Sequence, residues 1–292
     1  MKVDRRLRQA ISERRALVVP GAANALTARV IEDQGFEAIY LTGAGLANTE
    51  LGVPDIGLVT LTELARATAA IAAATSLPLI ADADTGFGSA INVAHTVRTL
   101  ERAGAAAIQL EDQVFPKRCG HFSGKEVIRT AEMLGKIKAG LDARGSSDCL
   151  IIARTDARAV EGFDAAIERA RAYAEAGADL TFVEAPEGIG ELAEIPRCLA
   201  LPQVANMVVG GKTPLASQSE LASMGYGLVL YANAALQAAV LAMQEVLGAL
   251  RRDGSLAAVS NRLASFTERQ RLVGKPEWDA LETRLATPRD GR

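Results

Sequence analysis

Aromatic residues are scarce in this chain: Phe, Trp and Tyr together make up 4% of its 292 residues, while the apolar set as a whole reaches 49%. The core must therefore be built from Ala, Leu, Ile and Val, as in helices laid on parallel strands, and general disorder is excluded. Cysteine is equally sparse. Cys119, Cys149 and Cys198 are odd in number and widely spaced, which argues against a disulfide framework and for reduced thiols. No apolar run reaches the roughly 18 residues of a membrane span. The opening MetLysValAspArgArgLeuArg lacks the apolar centre of a signal peptide, so a cytoplasmic protein is expected. With 32 basic and 35 acidic residues and a net charge of −3, there is no basic block interleaved with aromatics, so nucleic acid is not an expected partner. No short repeat, low-complexity block or Pro/Ser-rich linker divides the chain, and one large domain spanning 1–292 is expected.

Apolar runs of strand length alternate with Ala-rich stretches of helical spacing. Strands are expected near 17–20, 37–41, 78–81, 106–110, 150–153, 179–183, 202–205 and 227–230. Helices are expected near 24–35, 61–75, 90–103, 130–144, 163–177, 190–199, 217–224 and 232–250. Eight strand-then-helix units point to a closed (β/α)8 TIM barrel of the α/β class. An open doubly wound sheet would show a Gly-rich turn after its first strand, and GlyAlaGly at 43–45 is not followed by a third glycine of that fingerprint. Nearly every expected strand ends in polar residues or glycine, which marks the catalytic face of a barrel. A helical extension over 254–286, with Trp278, is surplus to the barrel. It is expected to pack on a neighbouring subunit rather than to cap the barrel floor.

The stretch from Leu77 to Gly88 organises the rest. Its apolar run ends in Asp82 and Asp84, two apart and so expected on one side of a strand, and two like charges that close call for a cation or a proton. Asp55 and Glu111 complete an acidic set without a histidine. Such an oxygen-only set suits Mg²⁺ or Mn²⁺, and pairing with arginines or capping of helices is the competing reading. A second constellation, Lys117 to His121, lies in a connection long enough to be a lid. There Lys117 and Arg118 are expected to lower the pKa of Cys119, Gly120 to let the loop approach a ligand, and His121 to orient a carboxylate or tune the thiol. Arg154 is a planar fork for a carboxylate or, equally, a partner for Asp156. Tyr40 offers a phenol or an aromatic plug at the barrel mouth. Glu184 and Asn206 end later strands.

AspAlaAspThrGlyPheGly at 82–88, GluAspGln at 111–113, LysArgCysGlyHis at 117–121, AlaArgThrAspAla at 153–157 and GlyGlyLysThrPro at 210–214 together resemble the isocitrate lyase/phosphoenolpyruvate mutase superfamily, over about residues 10–285. LysArgCysGlyHis resembles its lyase branch, which acts on substrates of the 2-methylisocitrate and 2,3-dimethylmalate type. The resemblance implies an α/β barrel whose final helix swaps between subunits of a homotetramer, with Mg²⁺ on Asp82 and Asp84 and with Asp55 and Glu111 acting through water. It also implies substrate contacts at Thr42, Gly43, Ala44, Cys119, Gly120, Arg154, Glu184, Asn206 and Arg269. Two positions depart from the pattern. Gln237 stands where methylisocitrate lyases carry an Arg that helps hold a tricarboxylate, which points to a smaller substrate. Val209 stands where the family's AsnXaaXaaGlu places a glutamate.

The implied reaction is a retro-aldol-type cleavage of a 2-hydroxy di- or tricarboxylate to pyruvate, or another 2-oxo acid, and a second carboxylate. In it Tyr40 takes the hydroxyl proton and Cys119 protonates the leaving carbanion. Rival readings are oxaloacetate hydrolysis or decarboxylation, P–C bond chemistry on a phosphonate such as carboxyphosphonoenolpyruvate, and a non-catalytic carboxylate-binding barrel.

Overall fold

The computed structural model describes residues 5–120 and 124–286. Strands β1 (Leu17–Ala22), β2 (Ile39–Leu41), β3 (Leu79–Asp82), β4 (Ala105–Glu111), β5 (Leu150–Thr155), β6 (Leu180–Val183), β7 (Gln203–Asn206) and β8 (Tyr226–Tyr231) are the apolar runs of the sequence. Each pairs in parallel with the next, and β8 returns to β1 with Leu17 opposite Leu228, so the sheet closes into the expected barrel. The strands are buried almost throughout, which is why they read as continuous apolar runs rather than as alternation.

The outer layer is formed by α2 (Ala25–Asp33), α4 (Leu61–Ala74), α5 (Ala90–Ala103), α6 (Thr130–Ala143), α7 (Phe163–Glu175), α8 (Ile189–Cys198) and α9 (Gln218–Met224), with a short α3 (Gly43–Leu46) following β2. Local chemistry fixes their ends. Thr60 and Glu63, and again Ser217 and Glu220, form reciprocal capping boxes, and Gly104 and Gly225 end α5 and α9 in the left-handed conformation. Helix and strand limits agree with the sequence reading to within two or three residues.

One element escaped that reading. α1 (Arg5–Ser12) buries Leu7, Ala10 and Ile11 in the same cluster as the inward residues Leu17, Val19, Leu150, Leu180 and Leu228. Gly227 leaves room for it: a Cβ there would meet the Ile11 carbonyl oxygen at 3.2 Å. α1 therefore covers the ends where the strands begin. Burial of Leu7 and Ile11 contributes about 1.5–3 kcal/mol each.

The chain divides into two compact units, 1–236 and 237–292. The second holds most of α10 (Ala234–Asp253), with α11 (Phe266–Leu272) and α12 (Lys275–Leu285). Neither α11 nor α12 has a buried residue, and Leu241, Phe266, Trp278 and Leu285 are all more than half exposed.

Candidate active site

The site is built where the strands end. β3 delivers Asp82, and the chain then turns through left-handed backbone at Asp84 (φ 47°) and Gly86 (φ 83°). Strand alternation is thus not what brings the two carboxylates together. Asp84 lies past the strand, in a conformation that aspartate tolerates better than most residues. Its backbone is pinned on β4, with Ala83 N donating to Gln109 O at 2.9 Å and Glu111 N to Asp84 O at 2.9 Å. From behind, buried Lys136 donates to the Thr85 carbonyl at 3.0 Å. The carboxylates face Gly43, whose amide donates to Asp82 Oδ2 at 3.4 Å. A Cβ on Gly43 would lie 3.1 Å from Asp84 Oδ1.

Burial, reinforced by the charges of Asp82 and Asp55 and opposed by Lys117, pushes the Asp84 carboxyl up to about 7. Burial likewise raises Glu111 well above the usual range. Asp84 Oδ1 and Glu111 Oε1 are buried and accept no hydrogen bond. Lys117 Nζ stands 2.8 Å from Asp84 Oδ1 as an ion pair outside hydrogen-bond geometry, and it also contacts Asp55. Oxygen-only donors, orphaned acceptors and mutually repelling charge fit a hard divalent cation. Among the described residues no three His, Cys, Asp or Glu groups are arranged to hold one unaided, and an ion of the Mg²⁺ kind keeps several waters.

Tyr40, at the middle of β2, is buried and lines the pocket at this end of the barrel. Its hydroxyl accepts from Gln109 Nε2 at 2.9 Å, and burial together with the Asp82 charge holds the phenol protonated far above its ordinary range. On α3, Thr42 caps the helix by accepting from Gly45 N and donates to Asn233 Oδ1 at 3.3 Å.

Arg154, next to the last residue of β5, makes the Asp156 contact weighed from the sequence. It bonds Asp156 twice, at 2.9 and 3.1 Å, lies 3.3 Å from Glu111 and 3.4 Å from Glu184, and stacks over Phe182 at 5.3 Å. Asp156 would be pushed up by burial, but Arg154 and Lys125 overcome that and pull it down to about 2. A further buried carboxylate, Asp112, anchors this wall by accepting from Thr155 Oγ1, Asp156 N and Tyr173 OH at 2.7–2.9 Å.

The long connection after β4 is tied down at its neck. Gln113 and Val127 form an antiparallel bridge, and the Gln113 side chain grips the Arg118 backbone through both its amide and its carbonyl, at 2.9 and 2.8 Å. Cys119 N donates to the Asp55 carbonyl at 3.2 Å. Asp55, expected near a cation, is therefore engaged by the lid through its backbone and through Lys117. The Lys117 ammonium serves the carboxylates. Cys119 is a half-buried thiol. Gly120 sits directly on Arg154 and Glu184, where any side chain would collide.

These groups line a pocket, with Tyr40, Asp82, Glu111, Cys119 and Arg154 on its polar side and Phe182, Val208, Leu230 and Ala232 on its apolar side. Thr42, Ala44, Asp55, Lys117, Gly120, Glu184 and Asn206 also line it, and Asn206 Oδ1 is a buried acceptor without a hydrogen bond. Val209 is 63% exposed, and its neighbour Val208 faces the pocket. His121 lies outside the described residues. Arg269 belongs to the second unit, where its guanidinium stacks over Phe266 at 5.4 Å. Lys125, Asp112, Gln109 and Asn233 were not singled out from the sequence. Of these, Asp112 lies in GluAspGln and Asn233 just past the end of β8.

The phosphoenolpyruvate phosphomutase family model matches residues 7–251. The chain belongs to this family, within the phosphoenolpyruvate mutase/isocitrate lyase superfamily. It is 46% identical to the 2,3-dimethylmalate lyase of Eubacterium barkeri, across 99% of this chain and all of that one. It is 44% identical to the 2-methylisocitrate lyase of Aeropyrum pernix, covering 96% and 90% of the two chains. Among solved structures, a 2,3-dimethylmalate lyase superposes with a TM-score of 0.91 at 36% identity, covering 98% of this chain and 96% of that one. A phosphonopyruvate hydrolase holding oxalate and Mg²⁺ gives 0.88 at 35%, covering 98% and 99%.

Proposed function

We propose that this protein is a lyase that splits a carbon–carbon bond of a 2-hydroxy di- or tricarboxylate of the 2,3-dimethylmalate or 2-methylisocitrate type, giving pyruvate or another 2-oxo acid and a second carboxylate. The observation that carries the reading is a half-buried lid thiol, Cys119, in the lining of a pocket whose other polar walls are Asp82, Glu111 and Arg154. The names of the relatives at 46% and 44% identity support the same chemistry.

Arg154, held flat between Asp156 and Phe182, is the fork for one substrate carboxylate. Thr42 and Asn206 offer the remaining polar contacts, with the Gly43 amide beside Asp82, and Phe182, Leu230 and Ala232 receive the alkyl part. Tyr40, once its own phenol proton has left to bulk water, takes the proton of the substrate hydroxyl as a phenolate. The C–O⁻ electrons form the carbonyl of the 2-oxo acid, and the pair of the broken C–C bond passes to the departing fragment as an aci-carboxylate. Cys119 then gives that carbon its proton while the lid excludes water. A Mg²⁺ or Mn²⁺ ion held by Asp82 and Asp84 would supply positive charge for the developing oxyanion and would offset the Asp82 charge that adds to burial in raising the Tyr40 phenol. Lys117 balances the acids from the lid side, and His121 is assigned to orienting the thiol or a carboxylate.

Among the described residues no helix is long and apolar enough to cross a membrane. A cytoplasmic homotetramer is proposed, with 254–286 as a swapped extension of a single barrel domain and Arg269 reaching a substrate. The uncovered apolar residues of the second unit support that assembly.

A pyruvate-release screen tests the activity, using dimethylmalate, methylisocitrate, isocitrate, oxaloacetate and phosphonopyruvate with and without chelator. Metal-dependent pyruvate from either of the first two is expected. Turnover of oxaloacetate or phosphonopyruvate alone would reassign the reaction.

A further inference from the structure

Lys125 returns the lid connection to α6, and its ammonium is as buried as a core group: 1% of its side chain is exposed, and 0% of that of Asp156, its partner. An ammonium is left there only if it is paired with an opposite charge and hydrogen-bonded. It has two acceptors, Asp156 Oδ1 at 2.7 Å and the carbonyl oxygen of Gly120. Asp156 is at the same time the carboxylate that holds Arg154 by two bonds, and its own amide is fixed on Asp112 Oδ1 at 2.9 Å. Gly120 closes the circuit by resting on Arg154 and Glu184. The guanidinium thus meets the lid twice, once through the glycine lying on it and once through the line Asp156, Lys125, Gly120. The residue preceding Gly120 is Cys119.

We propose that Lys125 is a positioning residue, a buried latch that fastens the Gly120 carbonyl to Asp156 and so keeps the Cys119 thiol in register with the carboxylate-binding guanidinium of Arg154. A lysine suits the task because one ammonium can donate to two acceptors on different segments, and the carboxylate it shares with Arg154 makes lid position and guanidinium position one arrangement. What the thiol does once positioned rests on the lyase reading. The latch itself rests on the contacts.

The experiment follows alkylation of Cys119 by iodoacetamide, read site by site by mass spectrometry, with and without oxalate plus Mg²⁺. It adds kcat and KM for the substrate found in the screen. In the wild type, oxalate is expected to shield Cys119. In Lys125→Met the shielding is lost and kcat falls about a hundredfold, with KM changed far less, as for a misplaced catalytic group. Lys125→Arg, which keeps the charge and donors, recovers part of both. A purely structural lysine would lower thermal stability without splitting kcat from KM. Should Lys125→Met fail to fold, Lys125→Gln replaces it, keeping one donor for Gly120 without the charge and facing the same outcomes. Undiminished shielding and kcat in the folded variant overturn the latch. If the wild type turns over nothing in the screen, the lyase reading fails while the shielding still judges Lys125.

Discussion

Gly120→Ala is the sharpest perturbation of the lid. Gly120 is absent from the positive-φ glycines, so alanine suits its backbone and only the close approach is tested. The added methyl would fall 2.7 Å from Glu184 Cγ and 2.9 Å from Glu184 Cδ, and closer still to Arg154 Nη2. Neither neighbour yields easily, since Arg154 is tied to Asp156 by two bonds and stacked on Phe182. Overpacking of this kind costs about 1–3 kcal/mol. Charged against the closed lid alone, it lowers the closed population, and with it kcat/KM, by about 5- to 150-fold. An open lid relieves the contact, so the barrel keeps its Tm. The assay is a coupled pyruvate-release measurement run beside thermal unfolding of the same preparation. Wild-type kcat/KM in the variant, or a loss of activity tracking a fall in Tm, would refute the idea that Gly120 is small for the sake of lid closure.

Cys119→Ser is expected to fold normally and to lose about 10²–10⁴ in kcat, because an alcohol is a far weaker acid than a thiol; near-normal cleavage would remove the thiol from the reaction. Asp82→Ala should abolish turnover and Mg²⁺ binding by calorimetry, and a variant fully active in chelator would contradict the assigned cation site. Burial, with Glu101 adding, pushes the Cys149 thiol up to about 12, so it stays protonated in the folded chain while an unfolded thiol ionises near 8.5. Its contribution to stability is complete below that pH and is lost as the pH rises toward 12, at up to about 1.4 kcal/mol per pH unit. Urea unfolding of wild type and Cys149→Ala at pH 8 and 10 should show the steeper loss in the wild type, and equal slopes would count against it. Leu241→Glu, on an exposed apolar position of α10, should shift sedimentation toward smaller species, whereas an unchanged profile would place the subunit contact elsewhere.

The sequence by itself determined the barrel. Strand and helix follow from period and composition, which are local, and eight buried runs ending in polar residues leave little choice of architecture. It also supplied much of the candidate pocket's lining, because in a barrel the residues at the strand ends converge on one face whatever the details; Asp82, Glu111, Arg154 and Asn206 were legible for that reason. The partners were not. Lys117 reads as a neighbour of the thiol but extends to Asp55 and Asp84, and Asp84 reads as a strand residue but reaches the site through a left-handed turn. Lys125 carries no local signal at all. Which carboxylate a long cation reaches is a matter of distance between segments far apart in the chain, and the free energy of a buried charge depends on every group packed around it, so only the tertiary structure decides it.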